Sequence, residues 1–375
     1  MSETHEALPE QRRWMGVVQQ IGAPVISVII AIGIGSVIMW VSGYDAGAAF
    51  AALFKGSFGS PKAFGDTLLR ATPLIFTGLA VAYGFSAGLF NIGAEGQLFM
   101  GGLAAAYLGV QLAAQPWYAA VPVLLLGAMA AGAAWAFVPA VLKARIGAHE
   151  VITTMMFTYI GKYLVSWLVV GPLKAPGQIP QTVTIGTSAQ LPRIQTLFSE
   201  ATLEALPFLR FGRAHMGIVV AILFAVIMWA ILKYTTLGYE ARAVGFNPTA
   251  AETGGISVSS TIIKALCISG ALAGLSGAVE VMGVHYKIFD QFSSGFGFTG
   301  IAVALVAKKN PLGVIPAALL FGALSAGSGL MQLEADVPQK IISIIQAVVI
   351  FLIAAESVIQ WFIKRRQKEA LSHAG

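Results

Sequence analysis

About ten apolar runs divide this chain, and most come close to the roughly 20 residues a helix needs to cross a bilayer core. They fall at residues 21–42, 67–87, 92–112, 118–141, 151–170, 214–233, 261–283, 296–307, 312–331 and 339–363. The runs are continuous rather than alternating, which argues against a transmembrane β-barrel. Composition agrees: 57% of residues are hydrophobic and 11% charged, whereas soluble domains average about 45–50% apolar and about 25% charged. The expected fold is an all-α polytopic transmembrane helix bundle of about ten spans, occupying residues 21–363. The first run, Ile21 to Val41, is too long for a signal-peptide core and lacks a cleavage site, so it reads as a retained span.

An even number of spans puts both termini on one side. The short basic connections, the polar segment 1–20 with Arg12 and Arg13, and the tail 364–375 with Lys364, Arg365, Arg366 and Lys368 mark that side as cytoplasmic. The same tendency accounts for the net charge of +6 without invoking nucleic acid. The longest polar connection, 171–213, then lies outside and is expected to be partly structured, since connections of that length without structure are uncommon.

One stretch departs from the apolar pattern: Gly88-Leu-Phe-Asn-Ile-Gly-Ala-Glu-Gly-Gln97-Leu-Phe-Met-Gly-Gly102. A Glu in so apolar a context is costly in lipid and must face protein or a watery cavity. Irregular backbone, which the glycines permit, is tolerated at membrane depth only in those places. Two readings stand side by side. Asn91, Glu95 and Gln97 line a broken polar passage, or they cross-link closely packed helices.

Glu280 and Glu356 are further intramembrane carboxylates. Glu95 with Glu280 suits either a proton relay or the lining of a polar cavity. Phe76-Thr-Gly-Leu-Ala-Val-Ala82 returns as Phe298-Thr-Gly-Ile-Ala-Val-Ala304, a candidate internal repeat. Transporters often carry such repeats, with their sites at the repeat interface.

Catalytic signatures are missing. Gly295-Phe-Gly-Phe-Thr-Gly300 fits a dinucleotide fingerprint in letters alone, without a preceding strand or an acidic residue downstream. No phosphate-binding loop, serine elbow or metal-ligand spacing occurs, and the single Cys267 excludes an internal disulfide. The chain therefore reads as a non-enzyme that needs neither cofactor nor metal. Between residues 233 and 260, Tyr239–Val244 are good helix formers. Asn247 and Pro248 then offer an N-cap and N1 proline for a second short helix, which Gly254 stops. Such a pair is either a docking element for another protein or an ordinary amphipathic connector.

Taken together, Gly88–Gln97, His149-Glu-Val-Ile-Thr-Thr154, Glu240-Ala-Arg-Ala-Val-Gly-Phe-Asn247 and Asn310-Pro-Leu-Gly313 resemble the permease subunits of bacterial ABC importers for nucleosides and simple sugars. That group belongs to the ribose and branched-chain amino-acid permease superfamily, and the resemblance extends over about residues 67–360. It implies a bacterial inner-membrane protein forming half of a pore, with a second permease subunit as the other half. Two ATPase subunits would dock on a cytoplasmic coupling loop at 236–256, and an extracytoplasmic binding protein would deliver substrate. Glu240, Arg242 and Asn247 would lie at the coupling surface. Asn91, Glu95 and Gln97 would shape the substrate passage, with Phe90 and Phe99 for stacking. The competing reading is an ion-coupled secondary transporter using Glu95 and Glu280.

Overall fold

The computed structural model describes residues 26–207 and 210–352. The expected terminal segments, Glu356 and the outer parts of the first and last spans lie outside the described residues. Helices stand at every expected span: α1 (Ile26–Val41), α2 (Ala46–Phe58), α3 (Pro61–Ser86), α4 (Ala94–Gln111), α5 (Trp117–Val141), α6 (Glu150–Val170), α7 (Glu200–Ala205), α8 (Gly217–Tyr234), α9 (Thr236–Phe246), α10 (Pro248–Thr253), α11 (Val258–Glu280), α12 (Phe296–Val306), α13 (Pro311–Ala335) and α14 (Lys340–Leu352). Among the described residues there are isolated bridges but no strand. Five segments are long and apolar enough to cross a membrane: Pro61–Ser86, Trp117–Ile146, Gly217–Tyr234, Val258–His285 and Pro311–Ala335. The chain is an all-α polytopic membrane bundle.

The backbone divides into two compact units, Met1–Ala52 with Leu330–Gly375, and Leu53–Gly329. In the first, α1 and α14 approach closely, since a Cβ at Gly35 would come within 2.6 Å of the Ile345 side chain. Met39, Ile341, Ile345 and Val349 are buried there.

The second unit is built around α11, which packs against α3, α4 and α5. Small residues set those contacts. A Cβ at Gly101 would overlap the Gly274 backbone, and one at Gly132 would overlap Gly270. With little hydrophobic driving force between helices in lipid, such close backbone packing is what holds a bundle together. Ser60 and Pro61 start α3 by the usual rule: the Ser60 hydroxyl accepts the Ala63 N–H at 3.1 Å, and proline occupies N1. Inside α3, the Pro73 carbonyl accepts the Thr77 and Ser276 hydroxyls at 3.1 and 3.0 Å.

Two ends of this unit differ in character. One carries α9, α10 and the π turn Leu142–Ile146, where Ser259 bonds the Ala144 carbonyl at 3.1 Å. The other carries the connection 171–216, which contains two short 3-10 turns and α7. That connection bonds the far end of α4, with Gly186 N–H donating to the Gly109 carbonyl at 3.1 Å.

The eighth expected span is a half-helix. α11 widens into a π turn, Val281–His285, closed by Tyr286 at φ 58°. Nine residues of irregular chain then lead to α12, whose 11 residues rise only about 16 Å.

Candidate functional site

The Gly88 motif folds as a sharp turn joining α3 to α4. Gly88 adopts φ +72°, the left-handed conformation that ends helices, and Leu89 N–H returns to the Gly84 carbonyl at 2.9 Å. Asn91 then anchors a closed hydrogen-bond network. Its Nδ2 donates to Gln97 Oε1 at 2.9 Å and to Ser269 Oγ at 2.8 Å. Its Oδ1 accepts the Gly93 N–H at 2.9 Å and Gln97 Nε2 at 3.2 Å. Ser269 passes the chain on to the Ala80 carbonyl at 2.6 Å. Asn91, Gln97 and Ser269 are buried, so every bond is made away from competing water. The network ties α3, the turn, α4 and α11 into one piece.

Glu95 is buried one helical turn further along, at 4% exposure. Its Oε2 accepts the Gly297 N–H at 2.6 Å, and in the preceding turn the Gly295 N–H donates to the Ser293 hydroxyl at 3.3 Å. The carboxylate therefore sits on the N-terminus of α12, where free N–H groups and the helix dipole both favour an anion. Gly297 is required by this approach, because a Cβ there would strike the Glu95 backbone. On its other side α12 rests on α3. Thr77 Oγ1 donates to the Phe296 carbonyl at 3.0 Å, and a Cβ on Gly78 would lie 2.8 Å from Val303. Gly300 in turn faces Thr77. The two copies of the repeated heptapeptide thus pack on each other, so the candidate repeat meets at its own interface.

Phe99 is buried edge-on to Phe292, with ring centroids 5.0 Å apart, and Phe292 also covers Gly102 halfway along α4. The break 286–295 therefore descends into the bundle beside α4. Irregular backbone at such depth must face protein or water rather than lipid. Within and beside it His285, Phe289, Asp290 and Ser293 are half-buried, and Gln291, Ser294 and Phe298 are exposed. This face is the best candidate for a passage wall. Sequence reasoning missed it, although two signals were present: the shortness of the eighth run and the glycines at 295, 297 and 300.

The residues expected to shape the passage are thus placed together, but in the interior: Asn91, Gln97 and Phe99 are buried, and Phe90 is half-buried against Phe85 at 5.0 Å. Glu95 and Glu280 are each held separately, Glu95 by α12 and Glu280 by His285 at 3.4 Å.

At the α9 end, Thr235 caps α9 by accepting the Gly238 N–H at 3.3 Å, and Asn247 caps α10 by accepting the Ala250 N–H at 3.1 Å. The expected charged docking face looks different in structure. Glu240 pairs with the exposed Lys264 of α11 at 3.6 Å, and both Glu240 and Arg242 are half-buried. Exposed side chains include the aromatic Tyr239, at 62%, and Phe246, at 90%, with Asn247 and Glu252 beyond them. Beneath them, Gly245 packs directly on the Ser86–Gly88 turn. Nearby, Lys143 pairs with Glu150 at 2.8 Å. Burial opposes the Glu150 charge, yet the Lys143 hydrogen bond and charge hold its carboxyl below the ordinary value. Among the described residues no three His, Cys, Asp or Glu side chains gather as metal ligands.

Comparison with known proteins matches residues 64–354 to a family described as branched-chain amino acid transport system / permease component. The guanosine ABC transporter permease protein NupP of Bacillus subtilis is 40% identical over 92% of this chain and 96% of its own. The glucose ABC transporter permease protein TsgB13 of Haloferax volcanii is 35% identical over 89% of this chain and 87% of its own. The nucleoside ABC transporter permease protein NupB of Lactococcus lactis is 32% identical over 94% and 95%. No solved structure matches the chain.

Proposed function

The chain belongs to the family of branched-chain amino acid transport system permease components, and from that premise we propose that it carries nucleosides through a bacterial inner membrane as half of an ABC importer. In this reading a paralogous permease supplies the other half, two ATPase subunits bind on the cytoplasmic side, and a binding protein loads substrate from outside. Both termini and the 236–256 loop face the cytoplasm, and the 171–216 connection faces out.

One observation carries the coupling part of this reading: α9 and α10 are short capped helices with exposed aromatic residues, seated directly on the turn that opens the Asn91 network. An ATPase subunit gripping Tyr239 and Phe246 would move Gly245. Gly245 cannot move without the Gly88 turn, and that turn is welded through Asn91 and Glu95 to the half-helix α12. Alternating access then becomes a rigid-body displacement of a broken helix, biased by nucleotide state in the ATPases. Asn91, Glu95 and Gln97 shape the passage by holding α12 in place. Glu240, Arg242 and Asn247 lie at the coupling surface, where Asn247 caps α10 and Glu240 pairs with Lys264. Phe90 and Phe99 support the wall. Sugar is the second substrate class, because a glucose permease stands among the relatives.

The comparisons lend no support to a gradient-driven carrier, and Glu95 and Glu280 have separate partners rather than each other. The deciding experiment is affinity purification of the tagged chain from its native membrane, followed by nucleoside uptake in reconstituted vesicles. Recovery of an ATPase and a second permease, with uptake that requires internal ATP, is expected. A chain recovered without an ATPase, with uptake abolished by an uncoupler while ATP is maintained, would overturn the reading.

A further inference from the structure

We infer that His285, held by Glu280, is a specificity-determining residue at the mouth of the passage, and that it takes an N–H donor on the base of a nucleoside. The inference rests on the nucleoside reading above.

His285 closes the π turn that ends α11. Such turns recur at functional sites because they re-aim side chains. The turn is held from several sides by the 171–216 connection. Leu191 N–H donates to the Met282 carbonyl at 2.9 Å, Ile185 N–H to the Tyr286 carbonyl at 2.8 Å, and Thr182 N–H to the Ile288 carbonyl at 2.8 Å. The buried His215 ring fills the space over Gly283, leaving no room for a Cβ there. A group on this turn is therefore preorganised.

The His285 side chain is 26% exposed, whereas Glu280 behind it is 6% exposed and meets His285 Nε2 at 3.4 Å. A carboxylate facing Nε2 favours the tautomer with its proton on Nε2, which leaves Nδ1 as an acceptor. Phe289 stands edge-on to the imidazole at 4.9 Å and sets an apolar surface beside it. Five residues beyond His285, Asp290 has a buried carboxylate oxygen with no hydrogen-bond partner among the described residues. Buried acceptors without partners are costly and rare in native proteins. A half-buried imidazole acceptor with an aromatic edge beside it suits a planar solute that carries a donor. The ring N–H of a nucleobase is such a donor, and Glu280 acts as the positioning residue behind the imidazole.

The test compares inosine with purine riboside, which lacks the ring N–H and the C6 oxygen, in the reconstituted complex with saturating binding protein. The binding protein is the same for every variant, so a change in the ratio of the two uptake rates reports on the permease. Wild type is expected to favour inosine. His285→Phe is expected to reduce that preference by about tenfold, the usual scale for an unmet polar contact, while the ATPase rate stays within about twofold. Glu280→Gln is expected to fall between them, and His285→Asn, which keeps an acceptor oxygen, to retain most of the preference. If His285→Phe fails to assemble, His285→Asn and Glu280→Gln carry the comparison. An unchanged ratio in assembled variants, or an equal fall for both solutes, overturns the inference and leaves nucleoside transport standing. A wild-type complex that takes up neither solute overturns the substrate reading and this inference together.

Discussion

Gly88 and Gly245 meet backbone to backbone: a Cβ on Gly88 would lie 3.0 Å from Gly245 Cα, and one on Gly245 would overlap the Ser86 carbonyl. Neither position has room for a side chain, so α9 rests backbone to backbone on the α3–α4 turn.

Gly245→Ala therefore wedges the two apart while leaving the exposed Tyr239 and Phe246 in place. The expected outcome is a complex that still binds its ATPase and hydrolyses ATP within about twofold of wild type, the ordinary effect of a change outside the reacting centre. Uptake per ATP should fall about tenfold or more, because small displacements at a coupling contact are amplified through rigid elements. Parallel measurement of uptake and phosphate release checks it, and an unchanged stoichiometry counts against mechanical transmission through this contact.

Glu95 separates acceptor from charge. In Glu95→Gln an amide oxygen can still accept the Gly297 N–H, whereas Glu95→Ala leaves that donor buried and unmet, at a cost of about 1–3 kcal/mol. Thermal midpoints of the purified complex should fall in the order wild type, Gln, Ala, with uptake following the same order. Equal midpoints for Gln and Ala would mean that the N-terminus of α12 finds another acceptor.

Asn91 and Gln97 share their bonds, so their substitutions should not add. Each single change to Ala is expected to cost about 1–3 kcal/mol, and the double change less than the sum by about 0.5–3 kcal/mol, as for residues in one network. A double-mutant cycle on unfolding midpoints, with uptake measured alongside, provides the check. Strict additivity, or unaltered transport kinetics in the double variant, would remove both residues from the passage.

Glu150 ties stability to acid. Its folded carboxyl titrates below the ordinary value, so its contribution is complete above the unfolded value of about 4.3 and is lost as pH falls through the lower folded value. Glu150→Gln should accordingly melt below wild type at pH 7, with the gap closing as the medium is acidified below about pH 4. A gap that stays constant with pH would assign the loss to packing rather than to the Lys143 pair.

Much of this fold was legible because lipid imposes period-independent apolar runs, and because Ser60-Pro61 and Asn247-Pro248 announce helix starts in ordinary capping chemistry. The Gly88 motif was legible as a polar interruption. What it does was not, since passage lining and helix cross-linking ask for the same amides. The accessible break 286–295 was hidden because its depth depends on Phe292 seating over Gly102, nearly 200 residues away. Likewise, the pairing of Glu240 depends on Lys264 arriving from α11. Contacts between segments far apart in the chain leave no local mark.

The half-helix has one further consequence, for the voltage across the membrane. A helix that begins inside the bundle places about half a unit of positive charge where the field is steep. Each full charge displaced there would exchange about 2.3 kcal/mol per 100 mV with that field. With the Glu95 carboxylate against the terminus, the two local charges oppose each other and sum to about half a unit. A gate balanced in this way can swing with little electrical work, so an uncharged solute crosses at nearly the same cost in an energised or a depolarised cell.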